Sequence, residues 1–352
     1  MNTLATQTDI AHLESLYAGL SVFHGEMHNH AATGGTSDGH RDLNHWKGAL
    51  EALEMDFAAI LDHRQVRHMF LPEWDDSLFI CGTEPGTKIV DADATNQYMH
   101  YNMILPTPEA LMDLLTEFTE FEFEGGQEGH FKYPEFTRER FGQLIDGVKA
   151  RGGFFVYPHP KQIMQSDDPC TYWFRDETGI EVFYNGPDHE FVKFTTDNYQ
   201  LWKDLLAKGK RVFACSGGDE HACAEDVALT TLYATERKNT AYLEQMRKGN
   251  FVCGSAGIRM CIGDTVMGGQ TDFAGKRLVV NVQDFHKSVR IPERKYRLNI
   301  WDDTGIVESL DISCDKPVFV ALDTEDRAFY RAEVVDVLRD LPVAIGNPIW
   351  NR

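Results

Sequence analysis

The feature that most constrains the fold is an alternation of short apolar runs with helical segments between residues 20 and 260. The apolar runs cover residues 21–30, 57–63, 78–84, 98–105, 154–159, 179–185, 211–215 and 227–234. Segments with helical spacing of apolar residues lie between them, at residues 43–55, 108–121, 138–151, 194–208 and 241–248. This alternation predicts parallel strands covered by helices. Eight such strands predict an α/β fold built on a distorted (β/α) barrel.

The pattern changes after residue 262. Short alternating strands with little helical signal follow, at residues 278–282, 296–301, 317–322 and 330–334. We therefore predict a barrel domain over residues 1–262 and a small antiparallel, sandwich-like β domain over residues 263–352. Within the barrel, the acidic stretch 118–134 contains the sequence EFEFEGGQEGH and predicts an exposed insertion or lid.

The charge of the chain indicates which partners suit it, and its cysteine content indicates a cellular compartment. The 34 Lys and Arg against 55 Asp and Glu give a net charge of −21, which predicts neither long nucleic acid nor a membrane surface as partner. The beginning of the chain lacks a basic, apolar leader, and its seven cysteines include no CxxC pair. These features favour a cytoplasmic protein with reduced thiols. The oligomeric state stays open.

Residues able to bind a metal collect at the ends of successive predicted strands. They are His28, His30, His63, Glu84, His100, His159, Asp219 and His221. In a barrel these strand ends share one mouth, whereas other histidines, such as His12 and His45, fall on predicted helices and loops. The clustering predicts a multinuclear metal site. Mixed imidazole and carboxylate ligands suit Zn, Mn or Fe and discriminate poorly among them.

The motifs HxH, SDG, DH, GxE, H, HP and DxH, in this order, resemble the PHP (polymerase and histidinol phosphatase) superfamily of metal-dependent phosphoesterases. The resemblance covers residues 20–260 and implies a barrel with three divalent metal ions. It assigns the first ion to His28, His30, Glu84 and Asp219, the second to Glu84, His100 and His159, and the third to Asp38, His63 and His221. The spacing from His30 to Asp38 is longer than usual for this family, so His40 is an alternative ligand.

The resemblance implies hydrolysis of a small phosphorylated metabolite by a metal-activated hydroxide at a trinuclear site. The catalytic residues would then be Glu84, Asp219 and His221. The C-terminal part, including GNFVCGSAG and AIGNPIW, is similar to the CehA/McbA-type metallohydrolases. This second likeness implies an alternative chemistry on the same scaffold, the hydrolysis of a carboxylester, carbamate or amide.

Three further residues are predicted to bind substrate. Arg64 follows the DH motif and Lys161 follows HP, so both are placed to reach a phosphate, although solvated loop charges are an equal alternative. Asn185 ends the sixth strand and is expected to orient substrate. Glu181 on the same strand is expected to make a structural hydrogen bond, with orientation of a histidine as the alternative.

Overall fold

The structure, a computed structural model, describes residues 4–91, 98–123, 130–160, 174–184, 188–222 and 228–352. The helices are α1 (Gln7–Leu16), α2 (Leu43–Leu53), α3 (Pro108–Glu117), α4 (Arg138–Ala150), α5 (Asp188–Ala207) and α6 (Asn239–Lys248), with a 3-10 turn at Arg67–Phe70. The first eleven strands are β1 (Ser21–Asn29), β2 (Phe57–Ile60), β3 (Phe79–Thr83), β4 (Gly86–Ile89), β5 (Tyr98–His100), β6 (Asn102–Ile104), β7 (Glu135–Phe136), β8 (Phe154–Tyr157), β9 (Gly179–Tyr184), β10 (Phe213–Gly217) and β11 (Leu229–Ala234). The others are β12 (Phe251–Gly254), β13 (Gly257–Ile262), β14 (Thr265–Val266), β15 (Gln270–Thr271), β16 (Arg277–Gln283), β17 (Tyr296–Asp302), β18 (Gly305–Ile312), β19 (Val318–Asp323), β20 (Phe329–Asp336), β21 (Leu341–Gly346) and β22 (Ile349–Asn351).

The chain divides into two compact units. One, called here the β unit, consists of the N-terminal segment up to His24, Thr230–Glu236 and Lys248–Arg352. The other, called the α/β unit, consists of Gly25–Leu229 and Arg237–Arg247. The predicted domain boundary after residue 262 stays a prediction, because compactness does not test which part of the chain folds independently.

The α/β unit is built on a mixed sheet with the strand order β10-β9-β8-β6-β3-β2-β1. Neighbouring strands are parallel except at β6, which is antiparallel to both β3 and β8. The expectation of uniformly parallel strands is therefore wrong, and closure into a barrel is not shown. The physical reason lies between β3 and β6. No crossover helix is described there, and a strand needs such a crossover to return parallel to its predecessor.

Helix α2 packs against the strands that end at the candidate site. Its N-terminus is capped by Asp42, whose carboxylate accepts the His45 backbone N–H. The buried side chains Leu43, Trp46 and Leu50 recur at helical spacing and share a hydrophobic cluster with residues of β2 and β3. The Trp46 indole N–H donates to the carbonyl of His30, at 3.3 Å. This contact joins the helix to the chain just after β1.

The predicted insertion at residues 118–134 is partly buried. In its described residues, Phe118, Phe121 and Phe131 are each no more than 3% exposed, and Phe121 and Phe131 pack edge to face. The prediction of an exposed lid is wrong at these positions, because the phenylalanines among the acidic residues bury their rings. The carboxylate of Glu120 stays at the surface, where it pairs with Arg140.

The β unit contains two groups of antiparallel strands. One follows the order β11-β12-β21-β20-β17-β18, and the other follows β14-β13-β16-β19. Strands of both groups contribute to one hydrophobic core, which includes Ile258, Val280 and Ile300. The antiparallel strands predicted from the sequence are present in β16, β17, β19 and β20. In the part of the chain that is described, no helix has the length and apolarity needed to cross a bilayer.

Candidate metal centre

The α/β unit gathers the metal-capable side chains at the ends of its strands. His28 lies in β1 and His30 directly after it, while the register of β1 against β2 shifts between Glu26 and Asn29. His63 and Glu84 follow β2 and β3 and form a parallel bridge with each other. The remaining members end or follow β5, β8 and β10: His100, His159, Asp219 and His221. Because the carboxyl ends of parallel strands meet at one edge of a sheet, the residues after β1, β2, β3, β8 and β10 converge there, whereas His100 comes from β5, which pairs antiparallel with β4 in a separate sheet.

A first group surrounds one oxygen of Glu84, whose side chain is completely buried. Its Oε2 lies 3.0 Å from His28 Nε2 and 3.2 Å from His30 Nε2. Asp219 Oδ1 lies 2.9 Å from the same His30 nitrogen. These four side chains offer ligand atoms within 4.8 Å of one another.

The other oxygen of Glu84 meets a second pair of imidazoles. Oε1 lies 3.0 Å from His100 Nδ1 and 3.0 Å from His159 Nε2. One carboxylate thus meets histidines from different strands on its two oxygens. This is the arrangement that a carboxylate bridging two cations requires.

A third group lies at the more exposed side of the site. His221 Nε2 is 3.1 Å from Asp38 Oδ1, and His63 Nε2 is 3.6 Å from Asp38 Oδ2. His30 Nδ1 is 3.9 Å from Asp38 Oδ1 and completes the group. His40, the alternative to Asp38, is exposed and its ring centroid is 6.3 Å from that of His221.

The donor set fits divalent cations. Among the described residues, His30 Nδ1 is buried and has no hydrogen-bond partner, while His30 Nε2 lies 3.2 Å from His28 Nε2. If both of the facing Nε2 atoms carried a proton, their N–H groups would repel each other, so protons alone cannot satisfy both nitrogens. A cation would satisfy these lone pairs, and imidazole with carboxylate suits Zn, Mn or Fe.

Hydrogen bonds on the far side of the rings orient them. His28 Nδ1 lies 2.7 Å from Glu181 Oε1, and the other oxygen of Glu181 accepts the His159 backbone N–H at 2.8 Å. His63 Nδ1 and His221 Nδ1 lie 3.2 and 2.7 Å from the carbonyls of Glu84 and Asp219, respectively. A proton on each Nδ1 leaves Nε2 of His28, His63 and His221 as the free ligand atom.

Charges in the site shift one another's pKa. Burial opposes the charged form of Glu84, but imidazoles led by His28 and His100 outweigh it and hold the pKa of this carboxyl well below its usual range. Burial likewise opposes a charged His30, yet its bonds to Asp219 and Glu84 raise its pKa to about 9. The carboxylates therefore favour positive charge at this place, which protons or metal ions can supply.

Unusual backbone conformations occur at the same place. Arg64, His159 and Asp219 have φ angles of 48°, 25° and 52°, in a region that residues with a side chain rarely adopt. A Cβ at Gly217, at the end of β10, would overlap the Glu181 carboxylate, so the strand can approach that residue only as glycine. Such backbone conformations are typical of functional sites, where the surrounding structure enforces them.

Two further carboxylates support the centre: Glu26, which the sequence analysis did not single out, and Asp62 of the DH motif, which the sequence favours as a hydrogen-bond partner and not as a ligand. Glu26 is completely buried in β1, and its Oε2 accepts the His28 backbone N–H at 3.0 Å while Oε1 accepts that of Gly218. Asp62 is buried too, and its carboxylate accepts the Ala31 backbone N–H at 2.8 Å. For Glu26 the available signal was a carboxylate inside an apolar strand, which is costly unless it is hydrogen-bonded.

Of the three predicted substrate-binding residues, one lies in the described part of the chain. Arg64 lies directly after His63, is partly exposed, and its guanidinium donates to the Phe131 carbonyl at 3.4 Å. Lys161 and Asn185 lie outside the described residues. The substrate-binding roles of all three stay predictions.

No protein-family model and no curated protein matches the chain. Solved structures do match. A two-domain protein from Bacteroides vulgatus that contains a predicted PHP-like metal-dependent phosphoesterase covers 95% of this chain and 95% of its own, with 14% identity and a TM-score of 0.41. The lesion-specific endonuclease Q from Pyrococcus furiosus covers 64% of this chain and 56% of its own, with 11% identity and a TM-score of 0.45.

A complex of endonuclease Q with a 27-mer duplex substrate, which has an abasic lesion at the active site, covers 64% of this chain and 57% of its own, with 10% identity and a TM-score of 0.41. The structural neighbours thus include a protein that contains a predicted PHP-like metal-dependent phosphoesterase, and endonuclease Q. The C-terminal likeness to CehA/McbA-type metallohydrolases stays a prediction.

The exclusion of long nucleic acid as a partner is wrong. It is overturned by the presence of endonuclease Q, with a duplex substrate, among the structural neighbours. The net charge of −21 sums the whole chain, whereas a ligand responds to the charges near its site, including those of bound cations. An acidic chain is therefore no argument against a nucleic acid at a cationic centre.

Proposed function

We propose that the chain is a metal-dependent phosphoesterase with three divalent ions at this centre. The observation that supports it most directly is Glu84, a completely buried carboxylate with imidazoles on both oxygens. Burial of so many ionisable groups is costly unless they are paired or hold a metal. Strand ends at one edge of a sheet also leave the centre accessible to a ligand.

The proposed ligand sets follow the three groups. His28, His30, Glu84 and Asp219 would hold the first ion, Glu84, His100 and His159 the second, and Asp38, His63 and His221 the third. His30 presents Nε2 to the first group and Nδ1 to the third. A neutral imidazole has one unprotonated nitrogen, so His30 can bind the ion of only one group at a time. When bound, the ions would activate a water as nucleophile and neutralise phosphoryl charge.

The protein side chains would hold this centre in shape. Glu84, Asp219 and His221 are the proposed catalytic residues because they would contact the ions that face the substrate. Glu181 is a positioning residue, since it contacts His28 and the backbone of His159. Arg64 would pair with a negative oxygen of the substrate from the edge of the site.

Two substrate sizes follow from different observations. The sequence resemblance supports a small phosphorylated metabolite, and the similarity to endonuclease Q brings in a phosphodiester of nucleic acid. Both contain the phosphoryl group that this centre would recognise. The test therefore includes a monoester, a diester and an oligonucleotide.

The decisive experiment removes metal from the purified protein and restores it with Zn, Mn or Fe. We expect restored release of p-nitrophenol from p-nitrophenyl phosphate or its bis-ester, with competitive inhibition by inorganic phosphate. His159→Gln should lower kcat/KM by about 100-fold, because it removes one imidazole contact to Glu84. His45→Gln is the matched control, since His45 is an exposed histidine on α2.

Other results would contradict the proposal in distinct ways. Turnover of p-nitrophenyl acetate alone, unaffected by phosphate, would replace phosphoester hydrolysis with the carboxylester, carbamate or amide alternative. Less than one metal ion per chain by elemental analysis would refute the trinuclear centre. Equal activity of His159→Gln and the unaltered protein would refute the proposed ligand set.

A further inference from the structure

Two tyrosines stand exposed beside the candidate metal centre. Tyr98 is 51% exposed and Tyr133 is 37% exposed. Their ring centroids are 5.6 Å apart and the ring planes are inclined at 66°. We call Tyr98 and Tyr133 the tyrosine pair. Large aromatic rings usually lose much of their surface on folding, so a pair left open next to a polar site is a candidate contact surface for a ligand.

Strand geometry places Tyr98 close to His100, one of the proposed metal ligands. Tyr98 and His100 lie on the same side of β5, since alternate residues of a strand share a face and the intervening Met99 is 2% exposed. Two residues along a strand span about 7 Å. His100 pairs in register with Gly86 of β4.

Tyr133 approaches the same two strands through Gly86. A Cβ added at Gly86 would overlap the Tyr133 hydroxyl, so the phenol lies directly against the backbone two residues after Glu84. Burial raises the pKa of Tyr133 to about 12 despite the nearby charge of Arg64. The hydroxyl is therefore protonated at neutral pH and able to donate a hydrogen bond.

Arg64 adds positive charge to this surface. Its guanidinium carbon lies 5.8 Å from the centre of the Tyr133 ring, and within the described part of the chain the guanidinium donates one hydrogen bond, to the Phe131 carbonyl. Among the described residues, no carboxylate pairs with it. A guanidinium has five N–H donors in a planar fork, so Arg64 has donors left for an anionic oxygen.

We propose that the tyrosine pair holds an aromatic group of the substrate while Arg64 binds a negatively charged oxygen of the same molecule. This inference rests on the proposed phosphoester hydrolysis at the adjacent centre, and it defines the substrate class as a phosphoester with an aromatic substituent. Tyrosine rings stack on aromatic faces, and a short linker from the phosphoryl group would span the strand distance. A nucleobase and a simple aryl group share this chemistry.

The test compares substrate pairs in which one member carries an aromatic group and the two leaving groups have similar acidity. Benzyl phosphate is compared with cyclohexylmethyl phosphate, and a 5′-mononucleotide with ribose 5-phosphate. Calorimetry with phenylphosphonate and cyclohexylphosphonate gives a binding measurement that is independent of turnover. We expect the protein to prefer the aromatic member by about tenfold, a typical size for one stacked ring.

Variants assign the preference to the rings. Tyr98→Leu and Tyr133→Leu should each lower the ratio of aromatic to non-aromatic kcat/KM by about tenfold, and Tyr98→Phe should restore it. Arg64→Leu should instead weaken binding of both phosphonates. The control is Phe70→Leu, which alters a 61% exposed aromatic residue outside this surface.

The outcomes separate this inference from the proposed function. If no phosphoester is hydrolysed, the proposed function fails, and the phosphonate affinities still decide the inference. A preference below twofold in the unaltered protein would overturn the inference without any variant, as would a ratio that the leucine variants leave intact. A base-dependent nucleotide preference identifies a nucleobase as the ligand, and a preference confined to benzyl phosphate identifies an aryl group.

Discussion

At the scale of single residues, Glu181 controls the orientation of the proposed ligands. Its carboxylate meets His28 Nδ1 with one oxygen and the His159 backbone N–H with the other. Glu181 is 1% exposed, so water cannot replace either bond easily. One side chain of β9 therefore orients a ligand from β1 and the turn after β8.

The first residue prediction is that Glu181→Gln weakens metal binding by about 10–100-fold, the usual effect of losing a partner of a metal-bound histidine. The amide can present an N–H to His28 in place of a carboxylate oxygen, which removes the preference for a proton on Nδ1. The measurement is the Kd for Zn in competition with a chelator. Glu177→Gln is the control, since Glu177 is an exposed glutamate that pairs with Arg211. Equal affinity of Glu181→Gln and the unaltered protein would contradict the assigned role.

A second residue prediction concerns His24, in the part of β1 that belongs to the β unit. Its Nδ1 is 3.0 Å from Thr231 Oγ1, and its ring centroid is 5.2 Å from that of His286. Burial, aided by the charge of His286, lowers the pKa of His24 to about 4. The unfolded chain, with an ordinary pKa near 6.5, then binds more protons than the folded chain between these two values.

Stability should therefore fall as the pH is lowered from about 6.5 toward 4, and His24 should account for roughly 2–3 kcal/mol of that loss. Replacing it by glutamine removes the titrating group, so His24→Gln should lose less stability over this range than the unaltered protein does. Urea unfolding at pH about 7.5 and about 5, in the presence of a chelator, measures the difference. His45→Gln should behave like the unaltered protein. Equal losses of stability in His24→Gln and the unaltered protein would show that the pKa of His24 is the same in the folded and the unfolded chain.

At the scale of elements, the strands that end at the centre were predictable from local pattern. The buried run FICGT of β3 is followed directly by Glu84, and the buried run FFVY of β8 is followed two residues later by His159. One metal-capable residue after a short buried strand is a weak signal, and its recurrence at successive strand ends is what makes the site predictable. Helix α1, which we did not predict, also had a readable signal, the capping box of Thr6 and Asp9.

Strand direction and pairing were not predictable in the same way. The apolar run at residues 98–105 reads as one strand, but the structure breaks it at Tyr101 into β5 and β6, which join different sheets. Tyr101 is completely buried, so hydrophobicity carries no sign of the break. Direction depends on hydrogen bonds to β3 and β8, which are distant in sequence. The positions of Glu181 and Asp38 likewise depend on packing between strands, which spacing along the chain does not encode.

At the scale of the whole molecule, the proposed ligands all belong to the α/β unit, while the β unit has its own core. A ligand that binds only the folded form stabilises it by about 2.7 kcal/mol at 100 times its Kd. Local unfolding that disrupts the centre, which exposes its amides to exchange, must first release the metal. Addition of Zn or Mn should therefore slow amide exchange by about 100-fold in β1, β3, β8 and β10. Exchange in β16, β17 and β20 should stay nearly unchanged.

Non-specific screening is the competing explanation, because a chain with a net charge of −21 attracts any divalent cation. Mg²⁺ at the same concentration separates the two effects, since it screens equally but prefers oxygen ligands to imidazole. Glu84→Gln, which removes the charge shared by the first two ligand groups, should reduce the Zn effect to what the third group (Asp38, His63 and His221) supplies, and should leave the Mg²⁺ effect intact. Equal protection of both units by Zn and Mg²⁺ would mean that screening accounts for the change, and the imidazoles around Glu84 would then have no role in holding a metal.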